Sequence, residues 1–186
     1  AELKYAGYDN LVITGKSEKP VYLYINNDQV EIRDAATIWG KTTFECEDVL
    51  RRELGDEQIE IALIGPAGEN LVRYACVMND MKDAAGRGGL GAVMGSKNLK
   101  AIAVHGSKGV RVHDPKRFMA AVNDAKAALE QSTGRKELTE LGTNAMIDMM
   151  QEFGGLPTRN FQEVQFEGVD KINPAAMMET RPNGHR

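Results

Sequence analysis

Five glycines fall within the ten residues Gly86 to Gly95, directly before the apolar run Leu99–Val104. Glycine costs backbone entropy and offers no side chain to a core, so such density needs a physical reason. Two reasons compete. Bare backbone lets a ligand lie against peptide N–H groups, and it lets two chain segments approach closely. The run Leu99–Val104 reads as a buried strand, so the glycines stand at the mouth of a sheet.

Charge bears on the choice. The 186-residue chain carries 23 basic and 27 acidic residues, a net charge of −4. That balance argues against a dedicated nucleic-acid binder, which would show a basic excess. From Ala84 to His113 there is no Asp or Glu, but Arg87, Lys97, Lys100, Lys108 and Arg111 are present. A cationic, glycine-rich segment in an acidic chain points to an anionic ligand.

Three anion motifs can be compared with it. Gly86-x-Gly88-x-x-Gly91 matches the dinucleotide pattern GxGxxG, but Met78–Asp83 before it is polar and turn-like, and the next acid is Asp114. The fingerprint needs a strand before, a helix after and an acid about twenty residues on. The nucleotide P-loop needs lysine directly after its last glycine; here Ser96 stands between Gly95 and Lys97. The third reading is a generic cradle: close backbone approach, free donors at the start of a short helix over Gly91–Asn98, and Arg87 gripping a phosphate through two parallel bonds. Tight packing of a turn between strands stands beside it.

The length suits one large domain, or one domain and part of another. Val21–Ile25 and Gln29–Arg33 alternate around Asn26-Asn27-Asp28 and read as a β-hairpin. Leu11–Thr14 is a short apolar run in the same strand-rich third. Thr42 and Glu45 form a capping box, and Gly55 ends the helix they begin. Ile59–Ile64 reads as a buried strand, Gly65–Gly68 as a turn and Leu71–Met78 as a further strand. After Gly106–Gly109 the composition changes. Asp114 and Pro115 open a helix with Phe118, Val122, Ala125 and Leu129 on one face. A second helix is expected over Glu137–Phe153 with Met146, Met149, Met150 and Phe153 inward, and a third from Asn173-Pro174. The expected class is α+β: a β-rich part with mixed sheets and short helices over 1–110, then a helical segment over 111–186.

Cys46 and Cys76 form no CxxC pair and read as core residues, not as a disulfide framework or metal motif. Glu69 reads as a turn or packing residue and His105 as a surface residue at a strand end. No stretch approaches the ~18 apolar residues of a membrane span, and no signal segment opens the chain at Ala1. The expectation is a cytoplasmic protein without a membrane or nucleic-acid partner.

The glycine segment with MGSKNLKAIAV (Met94–Val104), read with ALIGPAGENLVRYACVMND (Ala62–Asp80), resembles the N-terminal domain of the tungsten-containing aldehyde ferredoxin oxidoreductase family. The opening AELKYAGYDNLVITGKSEKPVYLYI and EIRDAATIWGK (Glu31–Lys41) fit that domain, and GLPTRNFQ (Gly155–Gln162) resembles the helical domain that follows. The resemblance covers nearly the whole chain. It implies a β-rich base beneath a bis-pterin cofactor of tungsten, or of molybdenum. It also implies magnesium bridging the pterin phosphates, and a 4Fe–4S cluster ligated beyond Arg186. The implied partners are an aldehyde and ferredoxin, and homodimers are frequent in the family. Matched onto this chain, Ala84 would give magnesium a backbone carbonyl, Gly86 would approach the cofactor, and Arg87 would bind a phosphate or the pterin edge. The family usually has His-Arg before its Ala-Ala-Gly-Arg run. Lys82 and Asp83 stand there instead; an Asp repels phosphate unless a metal intervenes, so either Lys82 substitutes for the lost charge or the site is altered, and Asp83 enters as a candidate on that condition. The catalytic acid is expected beyond Arg186, so no catalytic residue is assigned. Two other readings stand: a relative that uses the same cofactor to reduce an aromatic thioester, and a stand-alone module binding a nucleotide or pterin.

Overall fold

The computed structural model of the chain describes residues 1–180. The chain divides into two compact units, Ala1–Arg111 and Val112–Arg186.

The first unit opens with α1 (Glu2–Tyr5), a single turn of helix. The hairpin expected from the alternation is present as β1 (Val21–Asn26) and β2 (Gln29–Asp34). Asn27 in its turn has φ +51°, a conformation asparagine tolerates better than most residues. α2 (Thr43–Leu54) carries the capping box on Thr42 and Glu45 and ends on Gly55 at φ +65°. β3 (Glu60–Leu63) leads into α3 (Pro66–Glu69), one helical turn where the dipeptide Gly65-Pro66 suggests only a bend. β4 (Val77–Asn79) and β5 (Asp83–Ala85) form a second hairpin, followed by α4 (Leu90–Ser96) and β6 (Leu99–His105).

The strands form one mixed sheet in the order β2-β1-β6-β3-β4-β5. β6 lies parallel to β1 and antiparallel to β3. Side chains alternate across the sheet, which has a core on each face. Tyr22, Ile61, Leu63, Ala101 and Ala103 bury against Ile38, Cys46 and Leu50 on one side. Leu23, Ile25, Leu99 and Val104 bury with Ala6 on the other, with Leu3, Tyr8 and Ile13 packed against them.

Several expectations for this unit need correction. Leu11–Thr14 is not a strand; it is an irregular segment whose Ile13 packs on the second core. Only Val77 and Met78 of the expected strand Leu71–Met78 belong to β4, because Val72 N–H donates to Ala67 O and Ala75 N–H to Val72 O. Those local bonds hold Leu71–Ala75 in turns. Cys46 is buried as expected, whereas Cys76 is half-buried.

The second unit contains α5 (Pro115–Glu130), α6 (Thr133–Leu141), α7 (Ile147–Glu152) and α8 (Pro174–Thr180), with short 3₁₀ turns at Gly142–Met146 and Val169–Lys171. Asp114 caps α5 through Arg117 N–H, and Asn173 accepts from Ala176 N–H before α8. The single helix expected over Glu137–Phe153 is broken at Gly142, whose φ +62° and ψ −152° lie outside the α-helical region. The apolar stripe is not inward either: Met149 is 41% exposed and Phe153 79%. Phe118 and Leu129 are exposed as well, because these helices bury almost nothing against one another within the unit. Among the described residues no helix is long and apolar enough to cross a membrane.

Candidate functional site

The expected site residues sit on an open edge. β5 is the last strand of the sheet, so one side of its backbone has no strand partner. Register decides which groups that side presents. Asp80 N–H donates to Ile61 O of β3 at 3.1 Å. Backbone groups of an antiparallel strand alternate between its two neighbours. Met78, two residues earlier, therefore also faces β3, while Val77 and Asn79 face β5. Their partners Ala85 and Asp83 face back. Ala84 lies between them and directs its N–H and C=O to the free edge. No group of three or more His, Cys, Asp or Glu suited to a metal occurs among the described residues. A hard cation here would be held through carbonyl oxygen, which magnesium accepts.

Asp83, Ala84, Ala85, Gly86, Arg87 and Gly88 form a continuous exposed strip. Among the described residues, the side chains of Arg87 and Lys82 make no hydrogen bond or ion pair. A methyl placed on Gly86 or Gly88 would meet nothing within 4 Å, and Gly88 has φ +104°. Open space, an unpaired guanidinium and an outward carbonyl fit a phosphate-bearing group with its cation. Asp83, one residue before that carbonyl, fits only with the cation present.

The other three glycines have a different task. A methyl on Gly89 would lie 2.2 Å from Arg73 O, on Gly91 2.5 Å from Cys76 O, and on Gly95 2.0 Å from Gly68 O. All three obstacles are backbone, so these glycines bring α4 onto α3 and the 71–76 segment. Packing and ligand approach thus divide the run between them, with the boundary after Gly88. The start of α4 is not an anion site, because Gly91 N–H donates to Ala75 O at 2.9 Å and Ala92 N–H to Gly89 O at 3.0 Å. β5, α4 and β6 do not form a dinucleotide-type crossover, since β6 is flanked by β1 and β3.

Most cations of the acid-free stretch are engaged elsewhere. Lys97 Nζ donates to Gly15 O at 3.0 Å, and Lys108 pairs with Asp28. Lys100 is turned into the core, where it pairs with Glu69 and donates to Lys41 O at 3.1 Å. Glu69 is a structural anion; both its oxygens accept from Gly40 N–H. His105 ends β6 half-buried, its Nδ1 2.6 Å from Asp56 Oδ2.

The hairpin carrying β5 hangs on Asp80, whose Oδ1 accepts from Ile61 N–H at 2.9 Å. Glu60 lies beside it, lining with Glu2 and Asp80 a cavity of about 550 Å³. Hydrogen bonding to Asp80 raises the Glu60 carboxyl above the usual carboxylate range, to about 7; burial and the Asp80 charge add to this, and Arg51 opposes it. A carboxyl with a raised folded pKa contributes most when protonated. Stability is therefore expected to fall as pH rises from the ordinary carboxylate range to about 7. The slope is shallow, because water screens the exposed Glu60 side chain. Urea midpoints of wild type and Glu60→Gln at about pH 5 and about pH 8 check it. An unchanged slope in the variant would remove Glu60 as its source.

Comparison with known proteins adds the family. Residues 1–106 match the aldehyde ferredoxin oxidoreductase N-terminal domain, and residues 120–185 match domains 2 and 3 of the same family. The tungsten-containing aldehyde ferredoxin oxidoreductase of Pyrococcus furiosus is 53% identical over 163 residues, covering 87% of this chain and 27% of that protein. The enzyme of that name from Thermococcus kodakarensis is 51% identical, covering 95% of this chain and 29% of that protein. The chain thus spans less than a third of these relatives. A solved structure described as the active site complex BamBC of benzoyl coenzyme A reductase with 1,5-dienoyl-CoA is also similar. It has TM-score 0.65 and 46% identity, over 69% of this chain and 20% of that one. Profile matches across both units and identities above half place this chain in the aldehyde ferredoxin oxidoreductase family.

Proposed function

We propose that this chain cradles the bis-pterin tungsten cofactor of an oxidoreductase that converts aldehydes to carboxylic acids, with ferredoxin as electron acceptor. Residues 1–110 form part of the cofactor base, and 111–186 begin the helical domain. The observation that carries the reading is the exposed strip Asp83–Gly88, with its unpaired Arg87 and the outward carbonyl of Ala84. The cofactor supplies two-electron chemistry; the protein's part is binding and electrostatics. Arg87 offers two parallel donors to a phosphate. The Ala84 carbonyl would be a ligand for magnesium, whose charge would screen Asp83 from the phosphates. Gly86 and Gly88 let the ligand reach the backbone. The 4Fe–4S cluster belongs to residues outside this chain.

In the full-length protein, Arg87→Ala is expected to lower tungsten and pterin content together by about tenfold, the weight of a charge-assisted bond. Metal analysis and pterin fluorescence after oxidation read it. Undiminished content of both would end the assignment of Arg87. Reduction of an aromatic thioester is the second reading, favoured by the similarity to the benzoyl coenzyme A reductase complex. Higher identity to the aldehyde enzymes supports the first. Assays of the full-length protein with aldehydes and with aryl thioesters separate them.

A further inference from the structure

The open strip carries Asp83 and Arg87, with Lys82 directly before it, leaving one net positive charge. Two phosphates together carry about −3 to −4 at neutral pH, of which a divalent cation and this one charge offset about 3. Lys97, Lys100 and Lys108 are engaged elsewhere. A second arginine, Arg73, stands on a turn whose backbone lies against Gly89. The turn Leu71–Ala75 is pinned along its length: Leu71 N–H donates to Gly68 O, Val72 N–H to Ala67 O, and Ala75 O accepts from Gly91 N–H. Leu71 is held at φ +57°, a strained setting for a leucine. The Arg73 carbonyl lies so close to Gly89 that no side chain fits between them. Gly89 is two residues from Arg87. Arg73 itself is exposed and, among the described residues, has no hydrogen bond or ion pair. Tyr74 beside it is 85% exposed.

We infer that Arg73 is a second anion-binding side chain of this site, carried by the pinned turn against Gly89 to the same phosphate-bearing ligand that Arg87 meets. The inference rests on the cradle reading above. A rigid turn costs little entropy when its arginine engages, and a guanidinium matches phosphate oxygens in pairs.

The test uses the full-length enzyme in four variants: Arg73→Ala, Arg73→Lys, Arg87→Ala and, as an exposed unpaired control, Arg111→Ala. Each is incubated with a chelating resin, and loss of tungsten and pterin is followed over time. Arg73→Ala is expected to lose both about tenfold faster than wild type, as for one charge-assisted bond. Arg73→Lys should fall between them, and Arg111→Ala should match wild type. If Arg87→Ala loses cofactor fast while Arg73→Ala matches wild type, the inference fails and the cradle stands. If neither differs from wild type, the cradle reading fails and Arg73 falls with it. The melting temperature of each cofactor-free form separates binding from folding. A drop confined to Arg73→Ala and matching its cofactor loss would make Arg73 structural and overturn the inference.

Discussion

Gly95→Ala is expected to destabilise the first unit by about 3 kcal/mol or more. Alanine in a helix is ordinarily better than glycine by about 1 kcal/mol, so the sign depends on what the new methyl meets. It would lie 2.0 Å from Gly68 O and 2.7 Å from Gly68 C, with the Glu69 Cα at 3.3 Å. None of these atoms ends a flexible side chain, so α4 must lift from α3 or distort. Gly86→Ala is the matched control, because nothing lies within 4 Å of its methyl. Its stability should stay within about 0.5 kcal/mol of wild type, while its cofactor retention should fall if the strip holds the pterin. Urea unfolding of both variants measures the contrast. A neutral Gly95→Ala would mean that the two helices are not in close contact.

The second large effect concerns Lys100 and Glu69, which are 0% and 5% exposed. Together they join β6, α3 and the Gly40–Lys41 segment. Removing one member leaves the other charged and without its counter-ion in a place water does not reach. Glu69→Leu or Lys100→Met is expected to cost about 3–5 kcal/mol. The double variant Lys100→Met with Glu69→Leu should recover most of this, because no buried charge is left. It still leaves Gly40 N–H and Lys41 O without these partners, at about 1 kcal/mol each. Unfolding midpoints of the two singles and the double form the cycle. Single costs below about 1 kcal/mol, the range of a surface pair, would contradict the buried geometry.

The local grammar of this chain was readable before its structure. Thr42 and Glu45 cap α2, Gly55 ends it, and Asp114 with Pro115 opens α5, because each feature depends on neighbours within a few residues. The β1–β2 hairpin was equally plain from alternation around a polar turn. Reading failed where longer-range partners decide. Leu71–Met78 looks apolar enough for a strand, yet bonds to Ala67 and Gly91 hold most of it in turns. The helical stripe ending in Phe153 looks like a core face, yet an amphipathic pattern does not say what covers it.

The glycine run draws the same line through the candidate site. Its identity as a constrained backbone segment, and the residues Asp83, Ala84, Gly86 and Arg87 as candidates, came from sequence. Which glycines pack and which stay open did not, because that depends on Arg73 O, Cys76 O and Gly68 O, all brought in from an earlier part of the chain. Nor could charge counting separate Arg87 from Lys100. Both are cations of one acid-free stretch, but the Glu69 carboxylate and the Lys41 carbonyl hold one in the core, while the edge of the sheet leaves the other free. Sequence by itself determined which residues are present, their local turns and caps, and their resemblance to a family. Tertiary structure decided which backbone groups are spent on packing and which remain for a ligand, because close approach and burial are properties of segments that meet only in the fold.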